Sequence, residues 1–294
     1  MNDFKHIENL KKEYESIYAS DELKKRVNKI IKKKRFSFPK KMLSAAAVFL
    51  VVLATSLNIF PNFARAASDV PFFGAFVKVI TLGRYENSNG GYEAKVITPK
   101  IEGLVDKELE QKLNSDFKEN ADLIISAYEK DVAELKKEFG EETIHMGVTF
   151  DYCIKTDTNN VLSLDVYLLY TAGSSSTKHS FYTIDKKSGK LLALKDLFKK
   201  DTDYISPISK YIKQEMKRLN AEEDGLFWTD EEEIPFEGFK AIKKDQNFYI
   251  NEKNELVICF DKYEIAAGAQ GSPEFVIPKN ITNKISAPSS IIGK

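Results

Sequence analysis

The sequence MLSAAAVFLVVLATSLNIF, at residues 42–60, decides how the whole chain is organised. In a helix with a rise of 1.5 Å per residue, this segment covers about 28 Å, which is close to the thickness of the hydrocarbon layer of a bilayer. A buried core helix is the alternative, but residues 42–64 carry no charged side chain. We therefore predict one transmembrane helix over residues 42–60.

The charges on the two sides of this segment differ in sign. Residues 1–41 contain thirteen Lys or Arg and six Asp or Glu, whereas residues 65–294 contain thirty-one and thirty-eight. The formal net charge of zero therefore divides into +7 before the segment and −7 after it. Because ten Lys or Arg and no acidic residue lie within 23–41, the positive-inside rule places the N-terminus in the cytoplasm. We expect a single-pass protein of the cell membrane with an extracellular C-terminal domain.

The basic run has one alternative interpretation. KKKR at 32–35 is also the kind of sequence that contacts nucleic acid. The membrane flank accounts for the whole run, so we expect no nucleic acid as a partner.

A candidate cleavage site follows the apolar segment. Pro61 ends the helix, and Ala64-Arg65-Ala66 places small residues at the two positions that signal peptidase reads. Cleavage there would leave Ala67 as a new N-terminus. The alternative is that the pattern arises by chance in an alanine-rich stretch.

Residues 61–84 as a whole are predicted to hold this cleavage site and an amphipathic juxtamembrane segment. Within them, DVPFFGAFVKVIT at 69–81 places Phe73, Phe76, Val77 and Ile80 on one helical face. The segment is too short to span a bilayer. It would lie on the outer membrane surface or pack on the outer domain, and the sequence leaves both alternatives open.

The tail at residues 1–41 contains two amphipathic helical patterns. Two short helices cannot bury both apolar faces by themselves, so they need a partner. We predict a protein-docking arm whose helix face lies in a groove of that partner; a solvated juxtamembrane helix is the alternative. The residues predicted to make the contact are Leu10, Tyr14, Ile17, Leu23 and Val27.

From residue 85 to 294 the sequence is typical of a soluble α+β domain. We predict mixed or antiparallel sheets with helices on one face, in two α+β subdomains that divide at about 175–200. Residues 87–91 and 281–294 are predicted to be flexible. Strands are predicted at 92–101, 144–156, 161–172, 179–185, 248–250, 256–260 and 275–277, and helices at 104–139 and 204–219. The longer helix is predicted to bury Leu109, Leu113, Phe117, Leu123, Ile124, Tyr128, Val132 and Leu135.

The outer domain shows no pattern of a catalytic or metal site. His145 and His179 fall in different strands, and Asp151, Asp165 and Asp185 are scattered, without a zinc-protease or nucleophile-elbow motif. We expect no enzyme, no cofactor and no metal, although paired carboxylates can form in space without a sequence signal. The two cysteines, Cys153 and Cys259, either form a disulfide or are small buried apolar residues.

Four sequence blocks resemble a known family. They are VPFFGAFVKVIT after the apolar segment, YTIDKKSGKLLALKDLF at 182–198, QNFYI at 246–250 and LVICFDKYEIAAGAQGSPEFVIP at 256–278. In this order, after a basic tail and one span, they resemble the RsiV-type anti-sigma factors over nearly the full length. Members of that family restrain an extracytoplasmic-function (ECF) sigma factor and act as receptors for lysozyme. The two outer domain types also occur in a cell-wall deacetylase.

The resemblance implies a sequence of events. The tail would hold an ECF sigma factor, and lysozyme would bind the outer domain. Signal peptidase would then cut after Ala66, and an intramembrane protease of the site-2 type would cut within residues 42–60. The alternatives are a membrane-anchored lysozyme inhibitor or cell-wall-binding module without signalling, and a cell-wall hydrolase or deacetylase.

The resemblance also implies which loops contact lysozyme. Two small polar loops are predicted at 172–177 and 264–274, and the implied contacts are Gly173, Ser174, Ser175, Ser176, Ala266, Ala267, Gly268 and Ala269. At the second loop the chain departs from the family. Where A-P-G-Y is expected, it has Ala266-Ala267-Gly268-Ala269, so an aromatic anchor is missing.

Overall fold

The structure is a computed structural model, and it describes residues 77–139, 145–229 and 238–292. These residues form nine strands and three α-helices. The strands are β1 (Lys78–Asn89), β2 (Tyr92–Glu102), β3 (Met146–Asp157), β4 (Val161–Ala172), β5 (Ser174–Asp185), β6 (Lys190–Leu191), β7 (Phe248–Ile250), β8 (Leu256–Cys259) and β9 (Glu274–Val276). The helices are α1 (Lys107–Phe139), α2 (Ile205–Glu222) and α3 (Lys279–Ile285), with short 3₁₀ turns at Leu194–Leu197 and Gly268–Gln270.

The larger sheet has six strands in sequence order, from β1 to β6. All neighbouring strands are antiparallel except β2 and β3, which are parallel. A parallel pair needs a crossover connection, and α1 supplies it. The predicted mixed sheet of an α+β domain is therefore confirmed.

Helix α1 covers one face of this sheet. Its apolar positions recur every three or four residues, and the ring of Phe117 meets Tyr182 of β5 edge-on at 5.1 Å. The helix begins at Lys107 rather than at residue 104, because Asp106 caps it: the Asp106 carboxylate accepts the Leu109 backbone N–H at 2.9 Å. Leu123, predicted to be buried, is exposed, because its neighbour Ile124 takes the sheet-facing position.

The opposite face of β4 and β5 carries the second sheet, β7–β8–β9. The Ser163 hydroxyl donates to the Ile250 carbonyl oxygen at 3.3 Å, and the Thr183 hydroxyl donates to the Phe248 carbonyl oxygen at 3.5 Å. The first half of β4 is therefore buried on both faces. Helix α2 contributes Ile208, Ile212 and Met216 to the hydrophobic core around this second sheet.

Three local predictions are wrong. Residues 87–91 are not a flexible loop but the end of a β1–β2 hairpin, in which Gly90 and Gly91 take φ values of +63° and +93°, as a two-residue hairpin turn requires. Residues 78–81 are the start of β1 rather than a helix, because β1 pairs with β2 over its length and Lys78 lies opposite Glu102. Residues 281–292 are not flexible: α3 packs on the second core, and Ile292 is buried.

Candidate functional site

The first predicted lysozyme-contacting loop is the tip of the β4–β5 hairpin. Ser174–Ser176 belong to β5 rather than to a loop, since Ala172 already pairs with Ser174 across the tip. Gly173 alone makes the reversal, with a φ of +71°. The side chains of Ser174 and Ser176 are exposed, so the tip offers hydroxyl groups to solvent.

The second loop begins with a tight turn at residues 261–264. The Glu264 backbone N–H donates to the Asp261 carbonyl oxygen at 3.1 Å, and the Asp261 N–H donates to the Glu264 carboxylate at 2.9 Å. The Asp261 carboxylate accepts hydrogen bonds from the His179 backbone N–H at 2.9 Å and from the Lys178 ammonium at 3.0 Å, and both donors belong to β5. These bonds fix the turn against the hairpin.

The structure brings the two predicted loops together through residues that the prediction did not include. Ser174 Oγ and the Tyr263 hydroxyl share a hydrogen bond of 3.0 Å. Lys262 Nζ donates to Ser175 Oγ at 2.6 Å. The hairpin tip and the turn therefore form one continuous surface, which we call the tip surface: Gly173–Ser176 together with residues 262–269.

Within the second loop the four predicted contacts differ in accessibility. Ala266 is buried and pairs through its backbone with Phe227, so its side chain faces the core and not a partner. Gly268 lies under the Tyr263 ring, and Ala269 is exposed. Ala267 is half-buried, and its N–H donates to the Leu226 carbonyl oxygen at 3.0 Å.

Directly behind the tip surface, His179 connects three parts of the fold. Its Nδ1 lies 3.0 Å from Asp165 Oδ2 on β4, and its Nε2 lies 3.1 Å from Ser272 Oγ in the loop before β9. Because a carboxylate only accepts, Nδ1 carries the proton. The Asn247 amide also donates to the His179 carbonyl oxygen at 2.9 Å. His179 thus ties β4 and β5 to the second sheet.

The surroundings of His179 favour its protonated form. Burial alone would lower the pKa of His179, but the hydrogen bond and the negative charge of Asp165 outweigh burial, so its pKa is raised. The ring is stacked on Phe181 at a centroid distance of 5.9 Å, and Phe181 is stacked on Tyr249 at 5.8 Å. The Tyr249 hydroxyl donates to Glu274, which also pairs with Lys155 at 2.7 Å.

The connections Ser272–His179–Asp165 follow the order of an acyl-transfer triad, which the sequence did not reveal. The residue after Ser272 is Pro273, which has no N–H to stabilise an oxyanion next to a nucleophile. Among the residues that the structure describes, no three or more His, Cys, Asp or Glu are grouped to hold a metal ion. The hydrogen bonds of His179 to Asp165 and Ser272 form a largely buried polar link between the two sheets.

The two cysteines are both free. Cys259 is buried in β8, where burial raises the pKa of its thiol, so it behaves as a small apolar residue. Cys153 is exposed on β3. The disulfide alternative is thus wrong, and the buried-residue alternative holds for Cys259 alone.

The remaining predicted sites lie outside the described residues. They are the tail contacts Leu10, Tyr14, Ile17, Leu23 and Val27, the transmembrane segment 42–60, and the cleavage-site residues Ala64, Ala66 and Ala67. In the part of the chain that is described, no helix combines the length and apolar character needed to cross a bilayer. These predictions, and the domain boundaries attached to them, stay predictions.

Two protein families match successive parts of the chain. Residues 85–173 match the deacetylase PdaC family, and residues 195–280 match DUF3298, a family of unknown function. A DUF3298-family crystal structure from Bacteroides fragilis is similar in fold, with a TM-score of 0.55 and 16% identity over 75% of this chain and 97% of that one. This likeness supports the fold alone.

Two curated relatives come from Bacillus subtilis. Peptidoglycan-N-acetylmuramic acid deacetylase PdaC is 20% identical over 177 residues, which is 60% of this chain but 36% of PdaC. Anti-sigma-V factor RsiV is 37% identical over 294 residues, covering 96% of both chains. The match to RsiV is nearly full-length, whereas the match to the enzyme is distant and partial. The chain therefore belongs to the family of RsiV-type anti-sigma factors, which are not enzymes and whose partner is a sigma factor.

Proposed function

We propose that this anti-sigma factor is a single-pass membrane protein that holds an ECF sigma factor through its N-terminal tail. It releases the sigma factor by regulated proteolysis when the extracellular domain binds lysozyme. The sequence of the tail supports the binding of a sigma factor, because the spacing of Tyr14, Ile17 and Leu23 predicts an apolar helix face that a simple anchor does not need. Removal of that face would free the sigma factor without any ligand.

The tip surface carries the lysozyme part of the proposal. Two loops that are 89 residues apart in sequence, at Ser174 and Tyr263, meet with their polar groups exposed. The hairpin tip is small at its exposed positions, Gly173, Ser174 and Ser176, which suits entry into the cleft of a compact enzyme. The net charge of −7 over residues 65–294 would also speed the encounter with a basic lysozyme.

Release by cleavage requires that ligand binding change access to the Ala64/Ala66 site. The chain enters the sheet at Lys78, which pairs with Glu102 at one end of β1. The β1–β2 turn lies at the other end of β1. Strand β1 has twelve residues, so these ends are about 40 Å apart. The pairing of β2 with β3 and of β3 with β4 places the β4–β5 tip at the β1–β2 turn end. Lysozyme on the tip surface would therefore bind at the end of the sheet opposite to Lys78, where the chain enters β1.

The juxtamembrane segment is the proposed shield of the cleavage site. Phe73 and Phe76 would cover the Ala64/Ala66 site until the bound ligand displaces the segment. Changing both to Asp should make cleavage independent of lysozyme. If the Phe73→Asp/Phe76→Asp chain still needed lysozyme for cleavage, the shield would be wrong while the receptor function could stand.

The decisive experiment adds lysozyme to membranes that bear the full chain and sequences the new N-terminus. Cleavage that appears only with lysozyme and begins at Ala67 is the expected result. The matched control is Ala66→Phe, which places a bulky residue where signal peptidase needs a small one and should abolish the cut but leave lysozyme binding intact. No ligand-dependent cut in the unmodified chain would refute release by proteolysis.

A second candidate function is a cell-wall-binding module without ligand-triggered release. The match of residues 85–173 to the PdaC family favours it. In that case lysozyme or cell-wall fragments would bind the membranes, and the sigma factor would stay bound with no new N-terminus.

A further inference from the structure

Tyr263 has a backbone conformation that its side chain does not favour. Its φ is +66°, in the left-handed region that glycine adopts readily and bulky residues rarely adopt. The turn described above holds it there, since the Glu264 N–H donates to Asp261 at 3.1 Å and Lys243 pairs with Glu264 at 2.6 Å. Such strain persists where surrounding bonds impose it, and it is concentrated at functional sites.

The strained backbone places the aromatic ring at one position. A Cβ on Gly268 would lie 2.3 Å from the Tyr263 Cζ and hydroxyl oxygen, so the ring occupies the space that only a glycine at 268 leaves free. The hydroxyl reaches across to Ser174 Oγ at 3.0 Å. Tyr263 therefore spans the gap between the hairpin tip and the second loop.

The Tyr263 ring is nevertheless not buried in the hydrophobic core. The residue is 44% exposed, although its hydroxyl is hydrogen-bonded to Ser174. The Lys262 ammonium lies over the Tyr263 ring, 5.2 Å from the ring centroid. Leu226, 47% exposed, adds a second accessible apolar side chain on the segment that pairs with Ala267.

We propose that Tyr263 is the aromatic anchor of the lysozyme contact, in place of the aromatic residue that the loop lacks at Ala269. The inference rests on the proposed receptor function. Tyrosine is enriched among the few side chains that dominate the binding energy of protein interfaces. Tyr263 is preorganised, since its ring is placed by Gly268 and its hydroxyl by Ser174, so binding costs little side-chain entropy.

The test measures binding of egg-white lysozyme to the full chain in membrane nanodiscs. Tyr263→Gly removes the ring and suits the positive φ, so a loss of binding cannot be assigned to backbone strain. We expect its affinity to fall at least about tenfold, equivalent to about 1.4 kcal/mol. Tyr263→Phe keeps the ring and loses one hydrogen bond, so its affinity should fall less, by about two- to tenfold.

The matched control is Leu82→Ala. Leu82 is 47% exposed, similar to Tyr263, but lies in β1 toward the end where the chain enters the sheet. Its truncation should leave lysozyme affinity unchanged. If the unmodified chain binds lysozyme and Tyr263→Gly binds equally well, Tyr263 is not the anchor although the receptor function holds. If the unmodified chain does not bind lysozyme, the receptor function itself fails.

Discussion

Replacing His179 with Phe isolates the polar link behind the tip surface. The Phe ring can keep the stacking on Phe181 but loses both ring nitrogens. Asp165, whose side chain is 7% exposed, then has no partner for its carboxylate, and Ser272 Oγ loses its contact with Nε2. The substitution therefore tests what the link contributes to the fold without opening a cavity.

The magnitude follows from leaving a buried charge unpaired. Removing one partner of a buried ion pair costs about 3–5 kcal/mol, because the remaining charge keeps its desolvation penalty. The His179 side chain is 17% exposed, so water can partly reach the site, and we expect the lower end, about 3 kcal/mol. The double variant Asp165→Asn/His179→Phe removes the stranded charge and should recover about 1–2 kcal/mol of that loss.

The pH dependence of stability gives a second readout with a definite sign. The pKa of His179 is raised in the folded state by Asp165, and Asp261 and Glu274 add to it, so its contribution is fully present below about pH 6.5. That contribution is lost as the pH rises through the raised pKa. The unmodified chain should lose stability over this window, and His179→Phe should not.

Pulse proteolysis of the full chain across a urea series, at several pH values, measures the fraction of folded outer domain. Tyr167→Phe is the control: Tyr167 lies 6.0 Å from His179 in the same ring series, and the change leaves both ring nitrogens of His179 in place. A cost below about 1 kcal/mol for His179→Phe would show that Asp165 is solvated well enough to need no partner.

The other predictions concern the tip surface and the helix that backs the sheet. Gly268→Ala should displace the Tyr263 ring, since the new Cβ would meet it at 2.3 Å; we expect lysozyme affinity in nanodiscs to fall several-fold while urea stability changes by less than about 1 kcal/mol. Ala269→Tyr restores the aromatic residue of the family pattern and keeps the Ala267 N–H bond to Leu226, so it should tighten lysozyme binding by about tenfold. Burial raises the pKa of Asp131 to about 6, and the charge of Glu134 adds to the effect. The folded domain therefore loses stability as the pH rises through about 6 and the buried carboxyl ionises. Asp131→Asn should stabilise the domain by about 1–2 kcal/mol at pH 7.5 and by nothing at pH 4, measured by the same proteolysis.

The sequence predicted the elements whose pattern is local. Helix α1 and strand β4 are recognisable because apolar residues recur at helical or alternating spacing over many residues. It mispredicted β1, because the Phe73–Ile80 spacing favours a helix whereas pairing with β2 from Lys78 onward overrides that preference. The C-terminal residues were misassigned for a similar reason, since α3 is too short to show a period and is held by packing of Ile281 and Ile285 on a distant core.

The site was predictable only in part. The hairpin tip at Gly173 gives a register in which Tyr167 lies opposite His179, so Asp165 is a diagonal neighbour of His179 on one face. That pair could have been found from the turn alone. Ser272 and Tyr263 could not, because they reach the hairpin from loops whose positions depend on the packing of the second sheet.

The hydrogen bonds that join the second loop to the hairpin also make the tip surface rigid. Asp261 is bound to β5 at His179 and Lys178, and Ser272 is bound to the other side of the His179 ring, so both ends of the second loop are fixed to the hairpin. A surface fixed in this way binds without first paying to order its loops. Ligand binding therefore has little to change within the tip surface itself.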